Sequence, residues 1–151
     1  MTIEVNSENE MKALGKKLGA LLRGGEVLEL VGDVGAGKTT LTKGIAEAMG
    51  IDEDVQSPSF TISRVYDAPR ELYLAHYDFY RLHDAGIMTD ELHETIQDPK
   101  TVTIIEWAEI VGGVLPADRL TVSITSPGET VRHVTISAGG EKSKKIVEQL
   151  V

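Results

Sequence analysis

Met11, Leu14, Leu18, Leu21 and Leu22 recur at the three- and four-residue spacing of a helix with one buried face. Ahead of them Ser7 stands three residues before Glu10, the arrangement of a capping box, so the helix is expected to open there. Gly24-Gly25 is expected to end it. Val27 to Val31 is a short apolar run of the kind seen in buried strands. A glycine-rich loop follows, and Thr39 to Met49 reads as a second helix stopped by Gly50. Strand, glycine loop and helix therefore come in direct succession.

Five further stretches read as strands: Phe60–Tyr66, Leu72–Tyr77, Val102–Ile105, Leu120–Ile124 and Val131–Ile136. Pro69 within Asp67–Glu71 suits the turn of a hairpin, as does Ser126-Pro127-Gly128-Glu129. Residues 84–98 carry weaker helical character, and Glu141–Leu150 forms a short amphipathic terminal helix. The pattern predicts a three-layer α/β fold whose sheet combines parallel core strands with antiparallel hairpins, flanked by helices. With no repeat, low-complexity tract or long linker, residues 1–151 are expected to form a single domain.

Composition narrows the function classes. Hydrophobic residues make up 41% and charged residues 26%, an ordinary globular balance. No apolar run approaches the roughly 18–20 residues of a membrane span, and Met1-Thr-Ile-Glu-Val-Asn lacks the basic and apolar regions of a secretory signal. The chain contains no cysteine, which removes thiolate chemistry, disulfides and cysteine zinc sites. A cytoplasmic protein is the expectation. Fifteen Lys and Arg against 24 Asp and Glu give a net charge of −9, and the arginines at 23, 64, 70, 81, 119 and 132 are scattered. Nucleic-acid affinity rests largely on clustered basic residues, so autonomous binding of RNA or DNA is not expected.

The chemistry begins in the glycine loop. Gly32-Asp33-Val34-Gly35-Ala36-Gly37-Lys38-Thr39 matches G-x-x-x-x-G-K-S/T at every fixed position. Such a loop wraps phosphate oxygens closely, with backbone N–H groups turned inward and no Cβ in the way. Lys38 is expected to meet the β- and γ-phosphates, and Thr39 to ligate Mg²⁺. The helix that follows directs its positive end at the same phosphates. Residues 33–39 are therefore expected to bind a nucleoside triphosphate with magnesium in a P-loop NTPase fold.

Such a site also needs a carboxylate near the metal, at the end of a neighbouring buried strand. Thr101–Glu106 is a β-branched run ending in an acid, and Leu72–Asp78 is a second strand ending in one. Glu106 is assigned to the metal, directly or through water, and Asp78 to orienting or activating the attacking water. Ser57–Thr61 lies where a switch segment would sense the γ-phosphate. A rigid turn around Pro58 explains that segment equally well. His76 is read as a packing residue, Arg81 as a salt-bridge partner, and Trp107, the only tryptophan, as core or as a reporter of nucleotide binding.

A small-molecule P-loop kinase is the principal alternative, but such enzymes gather arginines in a lid, and the six here do not cluster. A GTPase would carry an Asn-Lys-x-Asp segment, which is absent.

The P-loop through Thr40, Ser57-Pro-Ser-Phe-Thr61, His76-Tyr-Asp-Phe-Tyr-Arg-Leu82 and Glu106-Trp107 occur together in one short chain. In this the chain resembles the bacterial TsaE family, from about Asn6 to the last strands. The resemblance implies an ATPase of tRNA threonylcarbamoyladenosine biosynthesis. It would work with two partner proteins of the actin-like ATPase superfold, which perform the transfer and hold the tRNA. It implies hydrolytic roles for Thr40 and Asp78 beside Lys38, a Mg²⁺ role for Thr39 and Glu106, and a nucleotide contact at Glu8. It also implies a closing role for the loop at Gly128–Thr130 over the base. Between Leu82 and Thr101 the chain departs from the family pattern: Asp84-Ala-Gly-Ile-Met-Thr-Asp-Glu-Leu92 keeps a Gly-Ile pair but not the usual length and order.

Overall fold

The computed structural model describes residues 1–58, 61–84 and 86–150, without the Ile87 side chain. Seven strands build one sheet: β1 (Thr2–Val5), β2 (Val27–Val31), β3 (Ser63–Ala68), β4 (Leu72–Asp78), β5 (Thr101–Glu106), β6 (Leu120–Thr125) and β7 (Arg132–Ala138). Their order across the sheet is β1-β7-β6-β2-β5-β4-β3. The four central strands β6, β2, β5 and β4 are parallel, while β3 on one side and β7 and β1 on the other add antiparallel hairpin-like edges. The expected mixed sheet is present.

Side chains alternate between the two faces of each strand, and the core divides accordingly. Leu28 and Leu30 of β2, Leu74 of β4, and Val102 and Ile104 of β5 pack beneath α1 (Glu8–Gly19), α2 (Lys38–Ala48) and α4 (Glu141–Leu150). Val27, Ala75, Tyr77 and Ile105 face the other way, against α3 (Gly86–Gln97) and a 3₁₀ turn at Ala108–Val114. Two helical layers therefore enclose the sheet. Among the described residues no helix is long and apolar enough to cross a membrane.

Three boundaries differ from the sequence expectation. Helix α1 opens as expected, with the Glu10 amide donating to Ser7 Oγ at 3.1 Å, but it closes at Gly19 rather than near Gly24. The Glu26 carboxylate accepts from the Arg23 and Gly24 amides at 2.8 and 2.7 Å, which turns the chain into β2 before the helix can continue. Strand β3 starts at Ser63, because Ile62, with φ 69°, closes a turn by donating to the Pro58 carbonyl; Phe60 lies outside the described residues. Strand β1 has no counterpart among the expected strands. Its four residues alternate too briefly to signal a strand, and it exists by pairing with β7, Thr2 opposite Thr135 through Val5 opposite Arg132.

Helices α1 and α2 lie side by side at backbone contact. A Cβ on Gly15 would overlap the Leu41 carbonyl oxygen, one on Gly44 would overlap that of Lys12, and one on Gly19 would come within 2.5 Å of that of Ile45. Residue numbers rise together along the contact, from Met11 against Gly37 to Gly19 against Ile45, so the helices run in the same direction. Both N-termini consequently emerge at one end of the sheet, beside the C-terminal ends of the parallel strands. Gly44→Ala should lower stability despite alanine's better helix propensity, since overpacking costs about 1–3 kcal/mol against about 0.8–1.0 kcal/mol gained. A thermal melt should move down by several degrees, whereas Gly113→Ala, whose Cβ would meet nothing within 4 Å, should leave it unchanged. An equal or higher melting temperature for Gly44→Ala would contradict this packing.

Candidate functional site

The C-terminal ends of β2, β5 and β4 place three chemically distinct groups side by side. After β2 the chain enters the glycine loop, where Gly35 and Gly37 take left-handed backbone with φ 83° and 114°. A side chain would strain both positions. Gly37 caps α2 and delivers Lys38 into the interior, only 6% exposed. Strands β4 and β5 pair in register so that Asp78 lies directly beside Glu106, and both carboxylates are 3% exposed. The loop lysine and the two strand-end acids anticipated from sequence are therefore brought together.

The Lys38 ammonium donates to the Gly32 carbonyl at 2.6 Å and lies 3.6 Å from Glu106 Oε1. It also sits 4.4 Å from the centre of the Trp107 ring, within cation–π range. Glu106 Oε2 is 2.6 Å from His76 Nε2, and His76 is fully buried. Burying a charge without a partner is costly, and here the ammonium and the carboxylate partner each other. Asp78 is held separately: Oδ2 accepts from Ser57 Oγ at 3.2 Å and Oδ1 from the Tyr80 amide at 3.0 Å. Ser57 thus links the segment after α2 to the strand-end acid, whereas Ser59 and Phe60 of the expected switch lie outside the described residues.

Trp107 ends β5 in left-handed backbone, φ 56° and ψ 51°. That conformation costs a non-glycine residue roughly 1–2 kcal/mol. It lets the chain turn into the 3₁₀ segment while the indole lies across Lys38 and packs on Tyr80 at 4.8 Å between centroids. Tyr80 is 52% exposed and Val34 70%, so both are large apolar groups on the cleft's margin in water.

These groups border a cleft of about 660 Å³. That size suits a nucleotide. Its walls include Val34–Thr40 of the glycine loop, Asp78, Glu106 and Trp107, and also Glu8, Glu129 and Thr130. Glu8 and the 128–130 loop, which the resemblance implied as nucleotide contacts, therefore reach the same cavity as the loop. Asp33 does not: it is exposed and borders a neighbouring cleft of about 350 Å³, separated from the first by Lys38 and Trp107, which line both.

Two residues take part in the site without a sequence signal for it. His76, a packing residue by sequence, hydrogen-bonds the candidate metal carboxylate. Arg132 was counted among scattered arginines, yet it lines the cleft and ties two of its walls together. Its Nε donates to the Ala36 carbonyl at 3.2 Å, and its Nη1 donates to the carbonyls of Gly128, Glu129 and Val131 at 3.0–3.1 Å. No local sequence signal marks such a residue, because its partners are backbone carbonyls on either side of a long-range contact.

The donor set suits a triphosphate with magnesium. Two helix N-termini, capped by Ser7 and Gly37, open on the cleft and favour an anion. Thr39, Asp78 and Glu106 present hard oxygen atoms. Among the described residues no group of three or more His, Cys, Asp or Glu could hold a metal alone.

Comparison with known proteins identifies the family. Residues 5–134 match the model of the family described as threonylcarbamoyl adenosine biosynthesis protein TsaE. A tRNA threonylcarbamoyladenosine biosynthesis protein TsaE from Bacillus subtilis (strain 168) is 40% identical over 149 residues, covering 97% of this chain and 90% of that protein. The protein of the same name from Streptomyces coelicolor is 39% identical over 140 residues, 87% of this chain and 93% of that one. A solved structure, the crystal structure of Bacillus subtilis YdiB, superposes with a TM-score of 0.82 at 36% identity, covering 99% of this chain and 93% of the other. Fold, site geometry and sequence agree, and the chain belongs to the TsaE family.

Proposed function

We propose that this chain binds and hydrolyses ATP with magnesium, as the energy-supplying subunit of the system that forms threonylcarbamoyladenosine on tRNA. The observation that carries the reading is the buried Lys38–Glu106 pair beneath the glycine loop, with Asp78 beside it in register. Loop amides of residues 34–39 would cradle the phosphates, and Lys38 would leave the Gly32 carbonyl for the β- and γ-oxygens. Thr39 and Glu106 would hold the magnesium, which when bound supplies charge neutralisation and Lewis acidity at the phosphates. Asp78, which accepts from Ser57 and the Tyr80 amide, would accept a hydrogen bond from the attacking water. Thr40 stands beside these groups on the cleft wall, and Glu8 with the 128–130 loop borders the same cavity. A small-molecule kinase finds less support: among the described residues only Arg81 and Arg132 line the cleft as arginines, and Arg132 is occupied with backbone carbonyls.

The two carboxylates have separable roles. In Glu106→Ala, magnesium should tighten ATP binding far less than in the parent chain, and turnover should fall with it. Asp78→Asn keeps a polar group of the same shape, so metal-dependent binding should persist while turnover drops by roughly 10²-fold or more. Calorimetry with and without magnesium, together with phosphate release, checks both. Interchanged phenotypes would mean that the assignments are reversed.

Partnership follows from charge and size. A chain of net charge −9 repels a phosphate backbone, so tRNA would have to be held by another protein. The family resemblance supplies the partners: two proteins of the actin-like ATPase superfold that perform the transfer, with hydrolysis here driving their turnover. Ser57 joins Asp78 to the segment leading towards Thr61, giving a path by which the γ-phosphate could alter a docking surface. The isolated chain should bind tRNA negligibly at physiological salt and hydrolyse ATP slowly. Pull-downs with both partners should differ among ATP, ADP and nucleotide-free states. Equal association in all three, or tight tRNA binding by the chain alone, would contradict this arrangement.

A further inference from the structure

We infer that His76 is a positioning residue for Glu106, holding its carboxylate in the orientation that binds magnesium; the inference rests on the metal reading above. His76 lies on β4 and Glu106 on β5, one pleat apart, since His76 pairs with Ile104 and Asp78 with Glu106. Both project to the face beneath α1 and α2. The imidazole has no exposed surface, and its Nε2 stands 2.6 Å from Glu106 Oε2.

The other ring nitrogen settles which atom carries the proton. Among the described residues Nδ1 is buried and has no hydrogen-bond partner. A ring protonated on Nδ1 would leave that N–H unsatisfied in the interior and set the lone pair of Nε2 against a carboxylate oxygen. A ring protonated on Nε2 avoids both, and it donates to Oε2.

The carboxylate is consequently divided between two partners of different strength. Oε2 is fixed by a short hydrogen bond from a ring that packing holds rigid. Oε1 faces Lys38 at 3.6 Å, beyond good hydrogen-bond length, and remains able to take another partner when Lys38 moves to phosphate. Without His76, Oε2 would be buried without this donor, and the side chain would turn towards Lys38 or towards water. Residues that orient a metal ligand in this way typically matter by 10–100-fold in metal affinity.

The test compares ATP affinity in magnesium with that in EDTA, by calorimetry on the full chain, with a thermal melt of each variant. His76→Gln can place an amide N–H near the position of Nε2, and should keep the magnesium enhancement of the parent chain. His76→Phe fills the space without a donor. Its enhancement should fall roughly tenfold, towards that of Glu106→Ala, while affinity in EDTA stays close to that of the parent. If His76→Phe does not fold, His76→Asn, whose amide stops short of Oε2, should show the same loss. Full enhancement in a folded His76→Phe or His76→Asn would overturn the inference, as would loss in His76→Gln equal to that in His76→Phe. A parent chain without magnesium enhancement, or Glu106→Ala retaining it, would overturn the metal reading itself, and this inference with it.

Discussion

A lysine ammonium and a glutamate carboxylate, both almost completely removed from water, neutralise each other at the C-terminal edge of this sheet. Removing two ions from water is expensive, and a separation of 3.6 Å repays only part of that expense. The pair makes physical sense as a site waiting for an anion. The Gly32 carbonyl, the Glu106 carboxylate and the Trp107 ring hold the ammonium. On the proposed function, phosphate oxygens would take their place, and Glu106, released from Lys38, would meet a cation while His76 keeps its other oxygen.

That arrangement depends on where the backbone is held. Parallel strands end together, which sets Asp78 beside Glu106 and both beneath the glycine loop. Glycines at 15, 19 and 44 allow α1 to lie against α2 at backbone distance and in the same direction. Ser7 and Glu8 thus stand at the same opening as the N-terminus of α2. On the remaining side, the Arg132 guanidinium joins the Ala36 carbonyl of the loop to the β6–β7 turn. A displacement of that turn would therefore be felt by the phosphate loop.

Most of this framework was legible in the sequence because its signals are local. The glycine loop, its lysine and threonine, and the two strands ending in acids are each written in consecutive residues, and the structure brings Lys38, Asp78 and Glu106 together. What escaped reading depends on partners that the hydrophobic pattern does not reveal, most of them distant in sequence. β1 is too short to announce itself and forms only on β7. Helix α1 stops early because Glu26, beyond its expected end, takes over the amides of Arg23 and Gly24. His76 resembles any core histidine until β5 brings Glu106 within 2.6 Å, and Arg132 acts through carbonyls that carry no residue identity. Asp33 belongs to the glycine loop by sequence, yet its side chain borders the other cleft, since residues of such a loop contribute amides to a common centre while their side chains diverge.

The account turns on Lys38 leaving its internal partners for phosphate, and Trp107, the only tryptophan, lies against the ammonium that would move. Tryptophan emission should therefore change saturably when magnesium with ATP, or magnesium with inorganic triphosphate, is titrated into the chain. Adenosine should produce no comparable change, and Lys38→Ala should lose the response to both phosphates, with affinity weakened roughly tenfold or more. An emission that ignores ATP and triphosphate, or a folded Lys38→Ala variant that responds as the parent does, would contradict the claim that this lysine exchanges Glu106 and Gly32 for phosphate.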